Sequence, residues 1–162
     1  MSKLKSIICQ EDGSTAFEFG IAAAVLFSMI FGIIEFCMVV YAANSVVLAA
    51  EQGARYAMVR GSDWTDPCTT TTSFGCATGT TNVKNYIQSQ TYPGINLGPT
   101  SNATITVTPL TTRSDTTTCV AWSQGCRIEV QIQYSYGLSL PYLPAASSSI
   151  PLTGTSIETI QD

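Results

Sequence analysis

The stretch that decides the fold spans residues 13–60 and reads GSTAFEFGIAAAVLFSMIFGIIEFCMVVYAANSVVLAAEQGARYAMVR. It contains no proline, and residues 19–34 carry no formal charge. About 20 apolar residues in a helix are enough to cross the hydrocarbon core of a bilayer, so residues 19–43 are predicted to span a membrane. The helix is predicted to cover residues 14–60.

The second half of this helix is predicted to be amphipathic. Apolar side chains recur at helical spacing along one face, namely Val47, Ala50, Ala54 and Ala57 or Met58. Glu51 and Arg55 form a favourable i, i+4 pair on another face. Gly61 follows directly and is a natural stop for the helix.

Residues 61–162 are predicted to form a β-rich domain, because all seven prolines lie at or after Pro67 and period-2 patterns follow. A short helix is predicted over residues 81–90, and strands over 102–110, 127–136 and 153–160. The clearest strand alternates one apolar face, made by Ile128, Val130, Ile132, Tyr134 and Tyr136, with polar residues. The segment 140–151 is predicted to be irregular because it is rich in proline. The expected fold class is α+β, a long N-terminal membrane-spanning helix continuing into a small antiparallel β-sheet domain.

The composition excludes several functions. The chain is 45% hydrophobic and 11% charged, its net charge is −4, and it contains no histidine. Nucleic-acid binding would need a basic face, and a histidine-based nucleophile pair or metal site is impossible. We therefore expect no catalytic residue, metal or cofactor, and membrane lipid as one partner of the apolar helix.

The cysteines beyond the helix form an even set with spacings C-x7-C and C-x6-C: Cys68, Cys76, Cys119 and Cys126. In an oxidising compartment this pattern predicts two disulfides, whereas in the cytosol it would suggest metal or redox chemistry. Disulfides are favoured, conditional on export. Four cysteines allow three connectivities, and the spacing does not choose among them.

Residues 1–13 are predicted to be a leader that stays in the cytoplasm, since Lys3 and Lys5 lie near the start. A secretory signal would have its apolar core directly after the lysines, but QEDGST intervenes here, and the nearest later cleavage candidates are Ala42 and Ala43. A cut between Gly13 and Ser14 would instead create an α-amino group close to Glu18.

Two carboxylates accompany the apolar run. Glu18 lies at its start, where desolvating a charge is costly, and it is predicted either to pair with the new terminal ammonium or to contact lipid headgroups. Glu35 is an intramembrane polar residue near the opposite face. It is predicted either to reach water with its long side chain or to contact a neighbouring helix.

These residues together resemble the TadE-like family of tight-adherence (Tad, type IVc) pilus proteins. The resemblance rests on Gly13, Ser14, Glu18 and Phe19, on the FGIIEF block at residues 31–36 and on the AEQGARYA block at residues 50–57. Gln52 departs from the acidic residue that members often carry at its position.

The resemblance implies a pilin-like fold and, as function, a minor pseudopilin that helps to assemble or cap an adhesive pilus. A prepilin peptidase would cut between Gly13 and Ser14, with Glu18 and Phe19 as recognition positions for processing and assembly. The expected partners are this peptidase, other pilins and pseudopilins, and the inner-membrane assembly platform. The expected location is the bacterial inner membrane, with the C-terminal domain in the periplasm, and the extracellular pilus after assembly.

Two other classes of protein remain open. One is a signal-anchored receptor or adhesin, whose outer domain binds a surface ligand while the helix merely tethers it. The other is an exported enzyme, for which four carboxylates could converge: Asp63, Asp66, Asp115 and Glu129. Solvated loop and sheet-face carboxylates are the favoured interpretation of these four.

Overall fold

The computed structural model of the protein describes residues 12–60, 79–113, 117–138 and 149–161, and for residues 12–14 the backbone alone. The predicted long helix is confirmed as α1, Asp12–Val59, with 48 residues. At a rise of 1.5 Å per residue it is about 70 Å long. The second helix, α2, is Thr80–Ser89.

A three-stranded antiparallel sheet follows, with strands β1 (Ala103–Arg113), β2 (Cys126–Gly137) and β3 (Ser149–Thr159) in the order β1-β2-β3. The predicted inward face of β2 is correct, since Ile128, Val130 and Ile132 are fully buried. The α+β arrangement expected from the sequence is therefore confirmed.

Strand β3 lies along the second half of α1. Ile150 shares a cleft with Phe36, Gly154 faces the backbone of Val46, and the amide of Gln161 donates a hydrogen bond to the Met58 carbonyl at 3.2 Å. Residues 36–58 of a helix cover about 33 Å, and residues 150–161 of a strand cover about 36 Å. Because the two lengths agree, the strand runs nearly parallel to the helix axis.

The close approach at the middle of this contact requires glycine. A Cβ on Gly154 would lie 2.7 Å from the Val46 carbonyl oxygen and 2.9 Å from the Val47 Cα, both of them backbone atoms. The main chain of β3 therefore touches the main chain of α1 directly, and Leu152 packs beside it in the core.

Helix α2 is fixed to the C-terminal end of α1 by aromatic contacts. The rings of Tyr56 and Tyr86 stack with centroids 4.2 Å apart, and the Arg60 guanidinium lies 4.7 Å from the Tyr56 centroid. Tyr92, just after α2, donates a hydrogen bond to Gln52 Oε1 at 2.7 Å. This bond gives a local role to the glutamine that departs from the family pattern.

Three local predictions need correction. Val47 is 39% exposed, and its neighbour Val46 is buried in its place, because the sheet contacts α1 slightly to one side of the predicted face. Strand β3 begins at Ser149, within the segment predicted to be irregular. It can include Pro151 because it is an edge strand, where a missing N–H need not break a ladder. Strand β1 also extends beyond its predicted end, to Arg113, through a register shift after Leu110.

Candidate functional site

The first half of α1 is the largest exposed apolar surface of the described chain. Side chains such as Phe17, Phe19 and Val25 are 69%, 74% and 64% exposed. Within the described residues one helix, Thr15–Val59, is long and apolar enough to cross a membrane, and its most apolar 18-residue window has a mean hydropathy of 2.4 with none of it buried inside the protein. A surface of this kind calls for lipid or other helices around it.

The proposed processing residues lie at the beginning of this surface. Gly13 and Ser14 are in the first turn of α1, and Glu18 and Phe19 follow one turn later with exposed side chains. Positions 14 and 18 are four residues apart, so their backbones lie about 6 Å apart along the same side of the helix. A new amino terminus at Ser14 would therefore start directly below the Glu18 carboxylate if the helix persists after the cut.

Two glycines on the exposed half leave room for a close neighbour. A Cβ added to Gly20 or to Gly32 would meet no atom of the described residues within 4 Å. Glycine lowers helix stability by about 1 kcal/mol relative to alanine, so an unoccupied glycine surface gives the isolated chain no packing benefit. Small residues at membrane-helix interfaces let two backbones approach closely.

Glu35 lies where the bare helix meets the sheet. Its side chain is half-buried and lines an apolar cleft of 440 Å³ together with Gly32, Phe36, Val39, Leu138 and Ile150. Burial raises the pKa of Tyr136 above its ordinary value of 10.0, and the nearby Glu35 and Tyr134 raise it further. Glu35 is thus a neighbour of its own sheet, and the two roles predicted for it, reaching water and contacting a neighbouring helix, stay predictions.

The disulfide prediction is confirmed where the structure describes it. Cys119 and Cys126 are bonded to each other, with their Cα atoms 5.9 Å apart. Cys68 and Cys76 lie outside the described residues. Cys37, on α1, is an exposed free thiol.

The four carboxylates considered for hydrolysis are not gathered into a described site. Asp63, Asp66 and Asp115 lie outside the described residues, and Glu129 is on the outer face of β2, paired in register with Thr108 and Ile157. Among residues 12–60, 79–113, 117–138 and 149–161, no three side chains of the metal-binding types come together.

Sequence reasoning missed the junction between Glu35 and the sheet. The sequence feature that could have indicated this junction is the alternation of β2, which continues through Tyr134 and Tyr136 to Leu138 with no charged residue. That continuation indicates an apolar strand end, but Glu35 and Tyr136 are 101 residues apart along the chain, and no local pattern shows that they are neighbours.

Comparison with known proteins agrees with the features at the beginning of α1. Residues 13–55 match the model of the TadE-like protein family. The matched region begins at Gly13 and covers the exposed half of α1 and most of the half that packs on the sheet. No curated protein and no solved structure matches the chain. The matched helix is consistent with a protein associated with the Tad pilus.

Proposed function

We propose that this chain, whose N-terminal helix is TadE-like, is a minor pseudopilin: a non-catalytic subunit that helps to assemble a Tad-type adhesive pilus. A prepilin peptidase cuts it between Gly13 and Ser14 at the cytoplasmic face of the inner membrane. The sheet domain lies in the periplasm, and the protein enters the extracellular filament on assembly. Its partners are other pilins, pseudopilins and the membrane assembly platform.

The observation that carries this proposal is the coincidence of the family match with the exposed helix. The match begins at residue 13, directly before the proposed cut, and every large apolar side chain from Phe17 to Ile34 is open to the surroundings. A helix that is apolar on all sides needs lipid before assembly and other helices afterwards. A chain that only needed an anchor could span the membrane with the apolar run alone, without Gly13, Ser14 and Glu18 at its start.

Glu18 acts after the cut in this proposal. Its carboxylate neutralises the terminal ammonium of Ser14, on its own or on a neighbouring chain, where water is scarce and unpaired charges are costly. This pairing lowers the cost of burying the processed N-terminus in a helix bundle, where an unpaired ammonium would be unfavourable. The exposed glycines let the neighbouring helices come close.

The first test separates processing from assembly with two substitutions in the producing bacterium. Glu18→Ala is expected to be cut, with Ser14 as its first residue by mass spectrometry, but to stay in the membrane fraction and be lost from sheared pili. Glu51→Ala, on the same helix, is the matched control and is expected to assemble normally. Normal pilus incorporation of Glu18→Ala would favour the plain anchor of a receptor or adhesin instead.

The cut itself is tested directly. Gly13→Leu is expected to leave the intact precursor in the membrane and to abolish pilus incorporation. Wild-type protein recovered from pili with residues 1–13 still attached would contradict the proposal.

The glycine surface supplies a third test. Gly20→Leu is expected to reduce pilus incorporation without lowering the amount of membrane-inserted protein, because a Cβ at this position would meet none of the residues that the structure describes. Val25→Leu, also on the exposed half, is its control. Equal incorporation of the two variants would argue against close helix packing at Gly20.

A further inference from the structure

The bare part of α1 has the length of a membrane crossing. From Thr15 to Ile34 only Ala23 is even partly covered, and these residues cover about 30 Å, the thickness of a hydrocarbon core. The covered part begins at Glu35 and continues with Val39 and Ala42. The sheet therefore meets the helix just where a bilayer fitted to the bare part would end.

The end of the sheet at this level is apolar and aromatic. It consists of the last residues of β2 and the first residues of β3, which pair as Tyr136 with Ile150 and Gly137 with Ser149. Leu138 and Ile150 line the cleft next to Phe36, and Phe36 is 68% exposed. We call the four side chains Tyr134, Tyr136, Leu138 and Ile150 the proximal edge.

The charges of the sheet lie at its other end. The charged residues of the three strands are Arg113, Arg127, Glu129 and Glu158. Register places all four in the half remote from the proximal edge, since Arg127 pairs with Thr159 and with Leu110. Tyrosine side chains, with an apolar ring and a polar hydroxyl, are enriched at membrane–water interfaces, so the asymmetry orients the sheet towards a lipid surface.

We propose that the proximal edge rests in the headgroup layer of the leaflet on the sheet side, and that residues 15–34 rather than 19–43 cross the hydrocarbon core. If residues 35–43 lay in the core, the sheet end would follow them there. In the described sheet β3 is an edge strand, so the N–H and C=O groups along its outer side would then be in hydrocarbon, at a cost of several kcal/mol each. The proposal rests on membrane insertion of α1, which belongs to the proposed function.

The test uses the full chain, reconstituted in phosphatidylcholine–phosphatidylglycerol vesicles that carry bromine at a shallow or a deep acyl position. Single-tryptophan variants report the depth of each position. Two reporters are built in a background in which Trp64 and Trp122 are both replaced by phenylalanine. One carries Phe27→Trp in the bare helix, and the other carries Tyr136→Trp at the proximal edge. Trp64→Phe alone leaves native Trp122, which lies beyond the far end of β2, roughly 30 Å from Tyr136 at the rise of a strand. Ile150→Trp is the second edge reporter and replaces Tyr136→Trp if that variant does not fold.

The expected result has three parts. Phe27→Trp loses most emission to deep bromine, Tyr136→Trp or Ile150→Trp loses more to shallow than to deep bromine, and Trp122 loses none. If Phe27→Trp is quenched and both edge reporters are silent, the edge stands clear of the bilayer and the inference is wrong, while the membrane anchor stands. Stronger quenching of the edge by deep bromine also overturns it, in favour of residues 19–43. An unquenched Phe27→Trp would refute insertion itself.

Discussion

Gly154→Ala is predicted to separate α1 from β3. The added Cβ would lie 2.7 Å from the Val46 carbonyl oxygen and 2.8 Å from its carbonyl carbon, whereas ordinary contact begins at 3.4 Å. The two elements must therefore move apart by about 0.7 Å. No side-chain rotation relieves the contact, because its partners are backbone atoms.

The expected cost follows from overpacking. Inserting a methyl group into a tight contact typically costs about 1–3 kcal/mol, and removing a strand glycine returns about 0.5–1 kcal/mol. We expect a net loss of about 1 kcal/mol, or a fall in Tm of roughly 6 °C for a domain of this size. Chemical unfolding of the full chain in mild detergent micelles, followed by tryptophan fluorescence, measures it.

Gly137→Ala is the matched control for this substitution. Gly137 lies at the end of β2 in the same sheet, and a Cβ there meets no described residue within 4 Å. The free energy of unfolding of Gly137→Ala should therefore stay at or slightly above the wild-type value. If Gly154→Ala and Gly137→Ala were equally stable, the direct backbone contact between helix and strand would be refuted.

Three further predictions concern other contacts of the sheet domain. Gly53→Ala is expected to lower the free energy of unfolding by about 1 kcal/mol, because its Cβ would lie 2.5 Å from Ile87 Cδ1. Ile87→Val removes that atom, so the double variant should lose less free energy of unfolding than the sum of the two single losses. Cys119→Ala with Cys126→Ala is expected to lower the free energy of unfolding by about 2 kcal/mol, whereas Cys37→Ser should leave it unchanged, and an equal effect of both would contradict a structural role for the bond. Burial raises the pKa of Tyr92, and the neighbouring Tyr86 raises it further, so the folded chain holds this proton more tightly than the unfolded chain. The free energy of unfolding should therefore be constant at neutral pH and fall as pH rises above about 10. Tyr92→Phe should reduce that fall in alkaline unfolding curves, and an unchanged slope would contradict the role of Tyr92.

The elements with strong local patterns were predictable from sequence. Helix α1 followed from an uninterrupted apolar run, and the inward face of β2 followed from strict alternation through Ile128, Val130 and Ile132. The first half of β3 was not predictable, because Pro151 argues against a strand unless it is known that the strand lies at the edge of the sheet. Val46 and Val47 are adjacent and equally apolar, so only the sheet decides which of them is buried.

The candidate site divides in the same way. Gly13, Ser14, Glu18 and Phe19 are recognisable as a short linear motif, and their roles in processing and assembly stay predictions. The environment of Glu35 depends on Tyr136 and Ile150, which reach it only through the fold. A sequence pattern can mark a carboxylate in an apolar run, but it cannot name a partner that is brought there by a sheet.

The parallel course of β3 and the second half of α1 has a mechanical consequence. A pull along the helix axis, of the kind that a surface-attached filament would transmit, is directed along the strands of the sheet. The eleven paired positions between β2 and β3 are then loaded in shear, so their hydrogen bonds share the force instead of opening one after another. The domain is therefore oriented to resist traction along the helix. A sideways pull on β3 would instead break the hydrogen bonds between β2 and β3 one at a time.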